Sequence, residues 1–169
     1  LAKVFDRAVP ADLDRYGTAV AISGDASVSV VTSARNSSSV SNTAEVLVNT
    51  PNPSASPGPS GTPVIYSSWV LQQTITTTTG LDVDISDNGN VLVLPGDSAT
   101  VGGFGSAGNA YIYTRGASTW TLTKTLARTD VTGGTNDINN NFGYGVAVSD
   151  DGSTVATFSY QSPAVYVYR

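Results

Sequence analysis

Short apolar runs, separated by turn-forming residues, extend along most of the sequence. One pattern occurs three times: an apolar or alternating tetrapeptide that ends in Ser lies at residues 20–23, 83–86 and 146–149, at intervals of 63 residues. A turn and a second apolar run follow each copy. Two of the turns contain Asn-Gly or Asp-Gly, which supply the positive φ angles of a tight hairpin. The pattern therefore predicts a β-hairpin in triplicate.

Two further strands are predicted in the repeats. The third strand lies at residues 44–48, 110–113 and 164–168 and is mainly apolar, and the fourth begins with Trp69 or Trp120. Alternation from Trp120 to Leu126 indicates a half-buried strand. No segment combines an amphipathic helical period with capping residues. The predicted fold class is all-β, with three repeated four-stranded antiparallel units that resemble propeller blades.

The repeats also predict how the chain is divided. The proposed segments are an N-terminal closing or donor strand (1–15), a first blade-like repeat (16–79) with a Pro/Ser-rich insert (51–63), a second repeat (80–141) and an incomplete third repeat (142–169).

The motifs of the first and third repeats resemble a known family. Tyr16-Gly17 and Phe142-Gly143 each precede Val-Ala-(Ile/Val)-Ser by two residues, and Ala-Val-Tyr-Val-Tyr follows at 164–168. These elements resemble FG-GAP repeats, which build β-propeller blades in integrin α-subunits and in secreted microbial proteins. The resemblance implies a propeller-like fold, an extracellular or cell-surface location and a role in cell adhesion. The family's calcium loop has no counterpart between the first two strands of any repeat.

The third repeat lacks its Trp strand, and the N-terminus resembles the missing piece. Residues 1–7 match residues 122–128 in register, with Leu, Lys, a large apolar residue and Arg at corresponding positions. We expect residues 1–9 to form this strand. The predicted donor residues are Leu1, Lys3, Val4, Phe5 and Arg7. The predicted acceptor residues are Ala164, Val165, Tyr166, Val167 and Tyr168.

Three arrangements fit this interpretation. The strand could complete the last sheet of a neighbouring copy, it could close a propeller within its own chain, or the sequence could be part of a longer repeat array. An unfinished sheet edge accepts a strand through main-chain hydrogen bonds. The first arrangement predicts a structural subunit of an extracellular filament or surface assembly, whose partners are copies of itself. The alternative is a piece of a secreted FG-GAP propeller that acts as an adhesion module and binds a cation or a glycan.

Two segments of the first repeat predict glycosylation. Asn36-Ser37-Ser38 is an N-glycosylation sequon, and the insert at 51–63 mixes Pro, Ser and Thr as O-glycosylated segments do. The candidate O-glycosylation residues are Ser54, Ser56, Ser60 and Thr62.

Composition excludes several classes of function. The chain has no Cys and no His, so thiolate and imidazole chemistry is absent, and we predict that the protein is not an enzyme and has no catalytic residues. The net charge of −5 and scattered basic residues argue against nucleic acid as a partner. The apolar runs are too short for a membrane span.

Asp82 and Asp84 are the oddest local feature. They occupy one face of a predicted strand, where the first repeat has Ala19 and Ala21 and the third has Gly145 and Ala147. A carboxylate pair requires a wet face, an Arg partner or a cation such as Ca²⁺. These two residues are the candidate metal ligands, and no other cofactor is expected.

Overall fold

The structure consists of antiparallel β-sheets joined by turns and loops. The computed structural model describes residues 14–35, 42–51, 66–77, 82–101, 103, 105–128, 140–161 and 164–169. Within these residues there are three sheets and no helix, which confirms the prediction of an all-β chain with three antiparallel units. No helix in this part of the chain is therefore long and apolar enough to cross a membrane.

Each sheet is built from consecutive strands. The first contains β1 (Asp14–Ile22), β2 (Val28–Arg35), β3 (Asn42–Pro51) and β4 (Tyr66–Thr77). The second contains β5 (Asp84–Ile85), β6 (Val91–Gly96), β7 (Asn109–Arg115) and β8 (Trp120–Leu126). The third contains β9 (Phe142–Val148), β10 (Val155–Ser159) and β11 (Val165–Tyr168). Neighbours in sequence are neighbours in each sheet, so every sheet is a simple meander.

The first hairpin of each sheet is held by the same pair of side chains. A Ser hydroxyl donates a hydrogen bond to the side-chain oxygen of an Asp or Asn two residues later, and that oxygen also accepts a backbone amide two residues further on. The pairs are Ser23–Asp25 (2.6 Å), Ser86–Asn88 (2.8 Å) and Ser149–Asp151 (2.7 Å). The following residue has a positive φ, and it is Ala26 (54°), Gly89 (64°) or Gly152 (77°). The repeat therefore fixes its turn through side-chain hydrogen bonds as well as through glycine.

A bulge interrupts the first strand of the first and third sheets. The register of β1 shifts between Tyr16 and Val20, and the pairing of β9 with β10 shifts close to Phe142. Gly17 and Gly143 lie at corresponding positions in these bulges, with φ values of 82° and 84°. The aromatic-Gly motif is thus the sequence of a β-bulge, where a positive φ favours glycine.

The second sheet lies between the other two and is covered on both faces. In β6, Leu92 and Leu94 pack toward the first sheet and Val93 packs toward the third, and all three are fully buried. The core between the first and second sheets also contains Val28, Val30, Ala44, Val46, Ile75, Val83, Ile85 and Trp120. The core between the second and third sheets also contains Ala110, Leu126, Phe142 and Val155.

Strand β8 differs from its prediction. Alternation over its length indicated one buried face, but only Trp120 and Leu126 at its two ends are buried. The five residues between them are exposed, including Leu122 at 46%. β8 is the outermost strand of the second sheet, and the two cores reach only its ends.

The two bulge glycines generate a prediction about the contact between sheets. A methyl group at Gly143 would collide with the backbone carbonyl oxygen of Asn109 in the second sheet, whereas nothing lies within 4 Å of the same position at Gly17. We expect Gly17→Ala to lower the free energy of unfolding by about 1–2 kcal/mol through its positive φ alone. Gly143→Ala should cost about 1–3 kcal/mol more because of the collision. Urea denaturation measures both, and equal losses would contradict the close approach of the sheets.

Candidate assembly interface

Asp82 and Asp84 join the second sheet to the third. One oxygen of Asp82 accepts the amide of the next residue, Val83 (2.9 Å), and its other oxygen accepts the amide of Val146 in β9 (2.8 Å). Asp84 does the same for Ile85 (2.9 Å) and Val148 (2.7 Å). Each carboxylate therefore bridges two backbone amides that lie 63 residues apart in the repeat.

These bonds explain why two carboxylates lie at an inter-sheet position. β5 and β9 are the first strands of their sheets and form sheet edges, and an edge strand has amides that its own sheet does not use. Charged acceptors make short, strong hydrogen bonds with such amides. The partners of Asp82 and Asp84 are thus backbone amides, rather than the Arg side chain or the wet face considered from the sequence.

The sequence made Asp82 and Asp84 candidate ligands of a cation such as Ca²⁺. Among the described residues, no group of three or more acidic side chains is placed to hold a metal ion. Calcium binding at Asp82 and Asp84 stays a prediction, and a calcium titration of the melting temperature tests it.

A pair of glutamines joins the first sheet to the second. The Gln73 side chain accepts the Trp120 amide (2.6 Å) and donates to the Trp120 carbonyl (3.2 Å). The Gln72 side chain accepts the indole N–H of the same residue (3.0 Å). Trp120 is 97% removed from solvent and closes one end of the core, so the glutamines satisfy its polar atoms where water is excluded. The sequence offered no signal for this contact, because the residues lie 47 or 48 positions apart.

The predicted acceptor strand lies at the edge of the third sheet. β11 pairs with β10 on one side, and no described strand pairs with its other side. Tyr166 packs edge-on against Phe142, with ring centroids 5.2 Å apart, and the Tyr168 hydroxyl donates to the Ala127 carbonyl (3.3 Å). These tyrosines face the second sheet, while Val165 and Val167 face away from it and are 69% and 62% exposed.

Several predicted residues lie outside the described part of the chain. They are the donor residues Leu1, Lys3, Val4, Phe5 and Arg7, and the glycosylation candidates Asn36, Ser54, Ser56, Ser60 and Thr62.

Apolar side chains are exposed on the outer faces of both end sheets. On the first sheet, Val20 and Ile22 of β1 are 68% and 58% exposed. On the third sheet, a shallow groove of about 170 Å³ is lined mainly by Gly145, Ala147, Phe158 and Val165, and Asp82 also contributes to its lining. Beside this groove the Tyr144 ring contacts the rings of Phe158 and Tyr160, at centroid distances of 6.0 and 4.9 Å. Clustered exposed apolar side chains mark interaction surfaces.

The three sheets form a β-propeller-like all-β fold, and one solved structure supports this class. That structure is the periplasmic gluconolactonase of Pseudomonas aeruginosa, which matches 89% of this chain with a TM-score of 0.55 and 13% sequence identity. The match covers 38% of the gluconolactonase, so this chain spans less than half of its length. At this identity the likeness shows the fold alone. No family model and no curated protein matches the sequence.

The carboxylate bridges predict a specific loss of stability. Asp84→Ala leaves the Val148 amide without its acceptor, and the loss of such a bond to a charged group should lower the free energy of unfolding by about 1.5–3 kcal/mol. Asp150→Ala is the matched control, because it removes the same charge from an exposed turn position and should change stability by less than about 0.5 kcal/mol. Equal effects of the two variants in urea denaturation would show that the bridge does not hold the sheets together.

The hydrogen bonds in the turn between β9 and β10 predict a lowered pKa for Asp151. Hydrogen bonds from the Ser149 hydroxyl and from the Ser153 amide and hydroxyl lower the pKa of Asp151 from its ordinary 3.8 to about 2. Because the folded-state pKa is the lower one, the stabilisation is present above pH 3.8 and is lost as the pH falls toward 2. Carboxyl carbon chemical shifts measure this midpoint by NMR. Ser149→Ala should raise it toward 3.8, and an unchanged midpoint would contradict the assignment of its cause.

Proposed function

We propose that this chain is a structural subunit that assembles head to tail with copies of itself, and that each copy completes the third sheet of its neighbour. The observation that carries the proposal is the position of β11 at the edge of the third sheet among the described residues. The first and second sheets each have a fourth strand beyond the third, β4 or β8, and the third sheet has none among the described residues. Strand addition at such an edge gains main-chain hydrogen bonds along its whole length.

The donor in this proposal is the segment 1–9. Its resemblance to residues 122–128 supports the assignment, because those residues contain most of β8 and the segment after it. In the second sheet the fourth strand leads along the chain into β9, the first strand of the next sheet. A donated segment 1–9 would lead in the same way into β1. Donation would therefore bring the first sheet of one copy next to the third sheet of another, as the second and third sheets are adjacent within one chain.

Head-to-tail contacts of this kind are heterologous. They produce a closed ring where the rotation between copies returns to the start, and a filament where it does not. The proposed location is outside the cytoplasm, at the cell surface or in the extracellular space. The Ser/Thr-rich sequence, the predicted glycans at Asn36 and in the insert 51–63, and the periplasmic location named for the gluconolactonase support it. This role requires no catalytic residue.

A second candidate function is a secreted adhesion module that binds a glycan or a cation. The aromatic cluster of Tyr144, Phe158 and Tyr160 favours a glycan, because exposed aromatic rings on a sheet pack well against the apolar faces of sugars. In this case further sheets of a longer polypeptide would cover the ends of the stack. Such a chain would be monomeric in solution.

Deletion of residues 1–9 tests strand donation. Sedimentation velocity should show assemblies of the intact chain at micromolar concentration and monomers of the truncated chain. Val4→Pro should weaken assembly in the same way, since proline removes a ladder hydrogen bond, and Val4→Thr is its matched control. Assembly of the truncated chain at the same concentration as the intact chain would refute the mechanism.

A further inference from the structure

The two contacts between sheets follow a single rule. At the start of the second sheet, Val83, which directly precedes β5, and Ile85 in β5 face backward into the core with the first sheet and are 6% and 5% exposed. Their counterparts on the third sheet, Val146 and Val148, face backward into the core with the second. The second and third sheets therefore each insert two β-branched side chains, from the start of the sheet, into the face of the sheet before it.

The first sheet has Val and Ile at the same two positions, but here both side chains are exposed. Val20 and Ile22 lie 63 residues before Val83 and Ile85, and they are 68% and 58% exposed. An isolated exposed Val or Ile is ordinary, but here the repeat shows what the position does when it has a partner. The backward face of the first sheet is thus built like the two faces that are buried.

The third sheet provides the matching forward face. In the second sheet, Val93 and its cross-strand partner Ile112 face forward into the core with the third. The equivalent pair of the third sheet is Ala156 and Val167, and Val167 is 62% exposed. This face contains the groove of about 170 Å³.

In its small residues, the groove resembles the contact between the first and second sheets more than the contact between the second and third. At the contact between the first and second sheets, the small side chains of Ala19 and Ala21 pack with the core that contains Val83 and Ile85. At the next contact these small residues are replaced by Asp82 and Asp84. The third sheet again has small residues, Gly145 and Ala147, which line the groove; the Phe158 ring lies over Gly145, and Asp82 also lines the groove. Apart from Asp82, the groove therefore presents a largely apolar surface on which two apolar side chains can pack.

We infer that the occupant of this groove is a second copy of the chain, whose Val20 and Ile22 pack against the outer face of the third sheet. The inference rests on the proposed head-to-tail assembly and names the surface through which it occurs. In this contact, Val20 and Ile22 would pack on a neighbouring molecule as Val83 and Ile85 pack on the preceding sheet of their own chain. Two copies joined at both ends would contain six sheets, which is within the usual range of closed propellers.

Two single variants and their mixture test this contact. Ile22→Lys alters only the backward face, and Val167→Lys alters only the forward face. Each should raise the dissociation constant of assembly at least about 30-fold, because a central contact residue is typically responsible for 2 kcal/mol or more. Both residues are exposed, so circular dichroism and the melting temperature of the monomer should be unchanged. Leu122→Lys is the control, since this residue is similarly exposed on the second sheet but lies on neither end face.

The mixture distinguishes this contact from a symmetric one. When the two variants are combined, the unaltered backward face of the Val167→Lys chain meets the unaltered forward face of the Ile22→Lys chain. Native mass spectrometry should then show a one-to-one dimer, although each variant alone is monomeric. Assembly of the Ile22→Lys chain as tight as that of the control would overturn the inference, as would the absence of a mixed dimer.

The truncation of residues 1–9 and the Ile22→Lys variant together distinguish strand donation from the face contact. If truncation of residues 1–9 prevents assembly and Ile22→Lys does not, strand donation stands and the face contact is wrong. If the intact chain is monomeric at all concentrations, both proposals fail, and further sheets of a longer polypeptide become the occupant.

Discussion

The structure depends on the burial of a sheet that is apolar on both faces. Leu92, Val93 and Leu94 are consecutive residues of β6, so their side chains alternate between two faces, and all three are fully buried. Burial of side chains of this size is worth about 1.5–3 kcal/mol each. A single neighbouring sheet would leave part of this surface in water. The second sheet therefore requires a sheet on each side, and this requirement sets the order of the three sheets.

The contacts between sheets differ in their polar parts. At one contact Gln72 and Gln73 satisfy the buried polar atoms of Trp120, and at the other Asp82 and Asp84 bridge backbone amides. In both cases buried or edge polar groups receive partners, as they must where water is excluded. The apolar cores of the two contacts are similar, and the polar side chains distinguish one contact from the other. The small residues Gly145 and Ala147 distinguish the open forward face in the same way.

Much of the fold was predictable because it is encoded locally. The 63-residue repeat, the alternation within strands and the Asn-Gly and Asp-Gly turns indicated the strands and their order, and the structure confirms three antiparallel sheets. The half-buried face predicted for β8 was wrong, because alternation does not reveal whether a neighbouring sheet reaches the strand.

The candidate interface was only partly predictable. Asp82 and Asp84 stood out against the repeat, but their acceptor role depends on amides in another sheet, and a backbone amide has no sequence signature. The contrast between exposed Val20 and buried Val83 likewise requires knowledge of which faces are covered. The third sheet has no fourth strand among the described residues, in agreement with the missing Trp strand, while the donor segment 1–9 lies outside the described residues.

Hydrogen–deuterium exchange as a function of protein concentration tests the central claim that both end sheets are built for burial. Amides of β6 should be protected at every concentration, because this strand is covered within one chain. Amides of β1 and β11 that point away from their partner strands β2 and β10 should exchange quickly in dilute solution and become protected together as the concentration rises. Exchange from β1 and β11 that does not change across the concentration range would contradict the account.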